Sequence, residues 1–380
     1  MFICGARKAS CTKRLTSFAR LNSTVSPKQP SVSHQELYNQ EKYNAITTLP
    51  TKLSPRRVIF QKVLADNGNK ESPIVFAKQW FTYAKEIVLF YKLGLKNIWH
   101  NRKLKNQLLR EKFHIDLINY TSKESSVVGE DGIRTKIVKG QINNGRDLTK
   151  YLLNEIYIRQ IEMKKNGADQ GKYQLTNISR SEYQLILRTE KDFMKLPLFG
   201  LIFLIFAETT PLVCLLVPSL IPTTCILPFL IKRQEIKKIH SMEKAIGDAG
   251  KSLGSEVIGD FFKKGNLYEL STKELGFLHK FFGLSFWKRI TRSSTLKSLI
   301  EYRNEILVDN HLIMDNNPEG FGKLNPIELL FSGNKRGLIS RDIIQDVNVF
   351  NDGHDYGEGI DKDLLVAKMN QFAKDTKFQI

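Results

Sequence analysis

The sequence predicts an all-α protein with a single-span membrane anchor, and three observations carry that prediction. Outside its ends the chain repeats apolar residues at three- and four-residue steps, the period of a helix with one buried face. One run, 196–231, spans 36 residues with a single charge, Glu208. The first 35 residues hold six basic side chains and no acid. Across 380 residues there are 58 Lys+Arg against 39 Asp+Glu, a formal net charge of +19. With 41% hydrophobic and 26% charged residues, a wholly disordered chain and a many-span carrier are both excluded. The four cysteines, Cys4, Cys11, Cys214 and Cys225, have neither metal-ligand spacing nor the density of a disulfide framework.

The N-terminus reads as a mitochondrial transit peptide over 1–27. Arg7, Lys8, Lys13, Arg14, Arg20 and Lys28 precede the first acid, Glu36, and Leu15, Phe18 and Leu21 can share one face of a short helix. Basic residues interrupt the stretch too often for a secretory signal. A polar linker with one helix is expected over 28–72.

The apolar run explains the anchor. A helix of about 20 residues crosses a bilayer, so 197–217 suffices. The remainder, to residue 231, is too short to cross comfortably, and Pro218, Pro222 and Pro228 punctuate it. A re-entrant or interfacial segment suits it better than a second crossing, with a tight hairpin left open. Three basic residues in the fifteen before the run against five in the fifteen after it place the C-terminal side in the matrix. Glu208 falls mid-span, where a carboxylate is costly unless protonated, paired or wetted. With the carbonyl released by Pro211 it is a candidate ion or proton ligand, or a packing residue.

Two helical regions flank the run. In 73–195, residues 73–118 carry a stripe of Phe76, Trp80, Phe81, Ile87, Phe90, Leu95 and Trp99, read as core or lipid-interface packing. Helical periodicity returns at 148–163 and 179–195, where Ser179 and Glu182 form a capping box. In 232–340, Ser271 and Glu274 start another helix, with Leu275, Leu278, Phe281 and Phe282 on one face. From 232 to 303 there are fifteen basic and eight acidic residues. Lys288, Arg289, Arg292, Lys297, Arg303, Lys335 and Arg336 are candidates for an anionic surface, either lipid head groups or RNA phosphates. Residues 341–380 read as an acidic, Gly-rich loop and a C-terminal helix. No His/Cys pairing, phosphate loop or calcium loop is in register, so neither enzyme activity, cofactor nor metal is expected.

Several of these positions resemble the leucine-zipper/EF-hand transmembrane (LETM) family of mitochondrial inner-membrane proteins. They are Ser179, Arg180 and Glu182; Arg188, Thr189 and Asp192; Pro197; Glu208, eleven residues later; and Pro218, Pro222, Thr223 and Thr224. Downstream, Leu324, Asn325, Glu328, Leu329, Arg336, Gly337 and Leu338 resemble the family's ribosome-binding-type helical domain. Neither an EF-hand nor a C-terminal coiled coil follows. The resemblance implies an inner-membrane protein whose matrix domain binds mitochondrial ribosomes and supports membrane insertion of newly made proteins. The alternative it implies is potassium/proton exchange through Glu208. Implied partners are the mitochondrial ribosome, inner-membrane lipids, and a homo-oligomer or relatives of the same family.

Overall fold

The computed structural model describes residues 42–51, 53–113, 121–122, 136–137, 142–166, 178–206, 220–263, 267–284, 291–314, 319–340, 343 and 361–376. The chain divides into two compact units, 1–39 and 40–380. Every described residue belongs to the second, so the expected transit peptide lies outside the described residues.

The described residues are helical, as expected. They form α1 (Arg56–Asp66), α2 (Pro73–Phe113), α3 (Gly145–Asn166), α4 (Arg180–Phe206), α5 (Pro228–Ala249), α6 (Lys251–Lys263), α7 (Thr272–Phe281), α8 (Arg292–Met314), α9 (Pro326–Lys335) and α10 (Lys362–Asp375). One two-residue antiparallel pair joins β1 (Thr121–Ser122) to β2 (Lys136–Ile137).

Local chemistry sets the helix starts. At α4 the Ser179 hydroxyl accepts from the Glu182 N–H, and the Glu182 carboxylate accepts from the Ser179 N–H at 2.8 Å. The same reciprocal box, Ser271 with Glu274, opens α7. Asn325 caps α9 and Asp361 caps α10 through side-chain oxygens that accept orphan N–H groups. Pro228 and Pro326 occupy first-turn positions of α5 and α9, where a missing N–H costs nothing. Gly337 turns with φ 71° after α9, and a Cβ there would lie 2.7 Å from the Phe281 ring.

Helices α2 and α4 run antiparallel, side by side. Tyr91 meets Phe199 with ring centroids 6.1 Å apart, and Trp99 meets Phe193 at 6.4 Å. Farther along, Lys105 pairs with Glu190 at 2.6 Å and Lys112 with Glu182 at 2.7 Å. Beyond them α3 closes over Leu109, Phe113, Tyr183 and Ile186. Helices α6, α7 and α8 share a cluster built on Phe261, Leu275, Leu278 and Leu299. Another cluster joins α9 and α10 through Leu329, Leu365 and Met369.

Two sequence expectations are corrected here. The first is the single span over 197–217. Asp192 accepts hydrogen bonds from the Thr223 N–H at 2.7 Å and hydroxyl at 2.8 Å, and Lys195 donates to the Ile221 carbonyl at 3.2 Å. The two flanks of the apolar run therefore touch, whereas a helix crossing between them would hold them about 30 Å apart. Among the described residues no helix is long and apolar enough to cross a membrane.

The second concerns the piece after Pro218, expected to be re-entrant or interfacial. From residue 221 onward its described apolar residues are core. Ile221, Cys225, Ile226, Leu227, Leu230 and Ile231 are buried against Phe90, Tyr91 and Ile98 of α2 and Phe199 of α4. Each fully buried Leu or Ile contributes about 1.5–3 kcal/mol relative to exposure. The backbones come close because α2 has Gly94 at this crossing, where a Cβ would stand 2.8 Å from the Cys225 sulfur and 2.9 Å from the Thr224 carbonyl oxygen.

The stretch read as linker also contributes to the body. Tyr43, Ala45 and Leu49 are buried. The Thr47 carbonyl accepts from the Asn101 amide at 2.9 Å, and the Asn44 side chain accepts from the Asn325 N–H at 2.8 Å.

Candidate functional site

Helix α4 has two contrasting halves. Its first half buries charge. Arg188 reaches Glu328 of α9 with two parallel hydrogen bonds, 2.6 and 2.7 Å. Arg180 donates to Asp309 of α8 at 2.8 Å, to the Tyr43 carbonyl at 2.6 Å and to Glu328 at 3.3 Å. Arg336 donates to the other Asp309 oxygen at 2.7 Å and to Asn310. Arg180, Arg336, Asp309 and Glu328 are all at most 2% exposed. Burial alone would raise both carboxyls, but the adjacent guanidiniums outweigh it and hold Asp309 and Glu328 below the ordinary carboxylate range. Beside them burial pushes Glu305 up, while Lys335 and Lys191 outweigh it and hold the carboxyl at about 2. This cluster is saturated with partners from Tyr43, α4, α8, α9 and the turn after it. Its chemistry is that of a keystone, with Asp309, Glu328, Arg180 and Arg336 closed off from solvent.

The second half of α4 exposes hydrocarbon. Met194, Leu198, Leu201, Leu204 and Ile205 face outward, Leu204 being 80% exposed. Beside them the N-terminal half of α2 exposes Ile74, Phe81 and Val88 at seven-residue intervals, with Phe81 75% exposed. Lys78, Lys85 and Lys92, also exposed, follow each of these by four residues and so lie one helical turn along the same face. Helix α1 braces this half of α2. The Arg56 guanidinium lies 5.1 Å from the Phe60 ring and 5.1 Å from the Trp80 ring, and Gln79 donates to the Phe60 carbonyl. The end of α4 and the start of α2 thus each expose hydrocarbon, and along α2 the lysines follow it, Lys78 donating to the Asn67 side chain of α1 at 3.1 Å.

The residues singled out from sequence fall in different places. Glu208, Pro211 and Pro218 lie outside the described residues, as do Lys288 and Arg289. Pro197 sits inside α4, exposed, and Pro222 is buried ahead of the 3-10 turn Thr223–Cys225. Lys297 is exposed on α8. Arg292 is exposed at the helix start and donates to the Tyr268 and Leu270 carbonyls. Three of the anionic-surface candidates serve the interior instead. Arg336 is fully buried on Asp309; Lys335 pairs with Glu305 at 2.7 Å; Arg303 is partly buried, and burial lowers its pKa. Net charge along the sequence could not separate these from surface lysines, because a buried cation is recognised only by the acid opposite it, 27 residues away for Arg336.

Sequence reasoning also missed α2 as the basic element. That helix carries nine basic residues against Glu86 and Glu111. Its aromatic stripe is the stronger local pattern, although the seven-residue lysine spacing was legible. Among the described residues no group of three or more His, Cys, Asp or Glu is placed to hold a metal ion.

The family model of the Pentamidine resistance factor domain matches residues 131–316, just under half of the chain, from the stretch before α3 to the end of α8. No curated relative and no solved structure matches. The match overturns the resemblance to the LETM family. The motif positions that carried it have local duties here. Ser179 and Glu182 cap a helix, Arg188 fills the keystone, and Asp192 clamps Thr223. Capping boxes and buried Arg–carboxylate pairs recur on unrelated helical proteins, so they are weak family signals. The match is consistent with a mitochondrial protein.

Proposed function

We propose that this protein is a non-enzymatic helical module attached to the mitochondrial inner membrane, which engages the mitochondrial ribosome and supports insertion of newly made proteins. The observation that carries the reading is the division of labour along α2. Its first half presents the apolar, lysine-edged end described above. Its second half presents Lys96, Arg102, Lys103 and Arg110 to solvent. From Phe81 to Arg102 is about 30 Å of helix, enough to hold a lipid-facing end and a polyanion-facing end apart. Ribosomal RNA supplies phosphates in the density such a row of cations neutralises.

Cation/proton exchange has no supporting observation among the described residues. Its candidate ligands, Glu208 and Pro211, lie outside them.

The test is sedimentation of detergent-solubilised full-length protein with mitochondrial ribosomes. Binding at low salt that falls steeply as salt rises is expected. The triple variant Arg102→Gln, Lys103→Gln, Arg110→Gln should flatten the log–log salt slope by about 0.7–0.9 for each phosphate it no longer neutralises. Absence of the full-length chain from the ribosomal pellet at low salt removes the ribosome reading.

A further inference from the structure

We infer that the exposed face of α2 around Trp99 binds unpaired RNA, stacking a base on the Trp99 indole while the cations beside it hold the phosphates. This inference deepens the ribosome reading proposed above and rests on it, naming the part of the polyanion that this half of α2 recognises.

Two helices build the platform. Trp99 is 55% exposed, and its ring meets Phe193 of α4 with centroids 6.4 Å apart and planes at 42°. Arg102, one turn along α2, lays its guanidinium 3.7 Å from the centroid of the Phe193 ring and 5.9 Å from that of Trp99. A ring and a planar cation thus hold the indole in place, and more than half of it stays in water. An indole placed for packing alone would turn that area inward, where burial is favourable. A fixed, solvent-facing indole is a surface on which a base lies.

Charge selects the occupant. Between Glu86 and Glu111, α2 carries no acid. Lys96 lies three residues before Trp99 and Lys103 four residues after it, so both share its side of the helix, and Arg110 continues the series at a further seven. All three are exposed, and they extend over about 21 Å of helix. The α4 acids that reach this half of α2 are engaged, Glu190 with Lys105 and the Gly145 N–H, and Glu182 with Lys112. Beyond the indole an open groove follows, lined by Lys103, Asn106, Gln107, Arg110 and Glu111, and its acid accepts from the Gln107 amide at 2.8 Å. A duplex keeps its bases stacked inside and offers this surface phosphates alone, whereas an unpaired strand offers phosphates and a free base together. The exposed indole therefore favours single strands, loops and bulges.

Full-length protein in detergent is titrated with an unstructured RNA of about 12 nucleotides, within the span that single-strand-binding sites cover, and with a blunt RNA duplex of the same length. The single strand is expected to bind more tightly and to quench indole emission. Trp99→Ala should weaken single-strand binding by about 5- to 150-fold, the worth of one stacked base, while duplex binding and circular dichroism stay unchanged. Trp99→Phe, which keeps a ring, should retain most of the affinity and lose the quenching. Lys96→Gln and Lys103→Gln should each flatten the salt slope for the single strand by about 0.7.

Equal affinity for strand and duplex, unchanged by Trp99→Ala, overturns this inference and leaves the ribosome reading standing on charge alone. Strand binding that depends on Trp99, with no protein in the ribosomal pellet, removes the ribosome as the source of the RNA and keeps the platform. A loss in Trp99→Phe equal to that in Trp99→Ala overturns stacking as the mode of binding. Quenching by cardiolipin vesicles with none by RNA assigns the indole to a lipid interface, and the proposal fails.

Discussion

The two halves of helix α4 invert the usual arrangement of charge and hydrocarbon, and they do so with different consequences. The first half takes Arg180 and Arg188 into the interior; the second leaves Leu198, Leu201 and Leu204 outside. Burying a charge is costly unless it is paired and hydrogen-bonded, and here the pairing is complete within the chain, through Asp309, Glu328 and the Tyr43 carbonyl. Exposed hydrocarbon has no such internal remedy among the described residues. Stability and the proposed membrane contact are thereby separated along one helix. The charged cluster closes on itself and explains stability, whereas the apolar end has no cover among the described residues.

Acid should expose the contrast most strongly. Asp309, Glu328 and Glu305 have folded pKa values below their ordinary ones, Glu305 at about 2. Groups depressed on folding contribute stability that is present above the unfolded pKa, about 4, and lost as pH falls through the folded value. Asp192 and Glu235, raised mainly by burial, have the opposite sign: their contribution is present below the ordinary range and lost as pH rises through their raised values. The melting temperature should therefore drop steeply between about pH 4 and 2. A melting temperature flat across that interval would contradict the keystone.

A single substitution sharpens the same point. Glu328→Ala removes the carboxylate that pairs Arg188 and one of the partners of Arg180, and should cost about 3–5 kcal/mol in denaturant unfolding. Refolded protein should nevertheless keep any vesicle binding, because the residues proposed to face lipid lie on the other half of α4. The smallest effect is expected at that other half. Leu204→Asp should change unfolding free energy by no more than about 0.5 kcal/mol, since the side chain is already in solvent. A loss of several kcal/mol there would mean that Leu204 is covered within the protein.

Much of the fold was legible in the sequence. The capping boxes at Ser179 and Ser271 were read from four residues each, because both partners of a cap lie within one turn. The apolar period located the helices of 73–118, 148–163 and 270–284 for the same reason. The keystone was not legible: Arg188 and Glu328 are 140 residues apart, and nothing local distinguishes an arginine that will be buried from one that will be solvated. The apolar run misled in an instructive way. Hydropathy counts residues that avoid water without saying whether lipid or protein will cover them. Ile221, Cys225, Ile226, Leu227, Leu230 and Ile231 went to the protein interior, where Gly94 allows α2 to approach.

The helical class, the helix starts, the excess of positive charge and the presence of a segment that water disfavours all follow from the amino-acid order alone, because each depends on residues within a few positions of one another or on composition. Folding in three dimensions was needed to establish that the two ends of that segment meet at Asp192 and Thr223, which cations are interior, and that leucines at the end of α4 stay exposed. Those outcomes depend on which distant surfaces pack together, and packing is settled by the whole set of interactions at once.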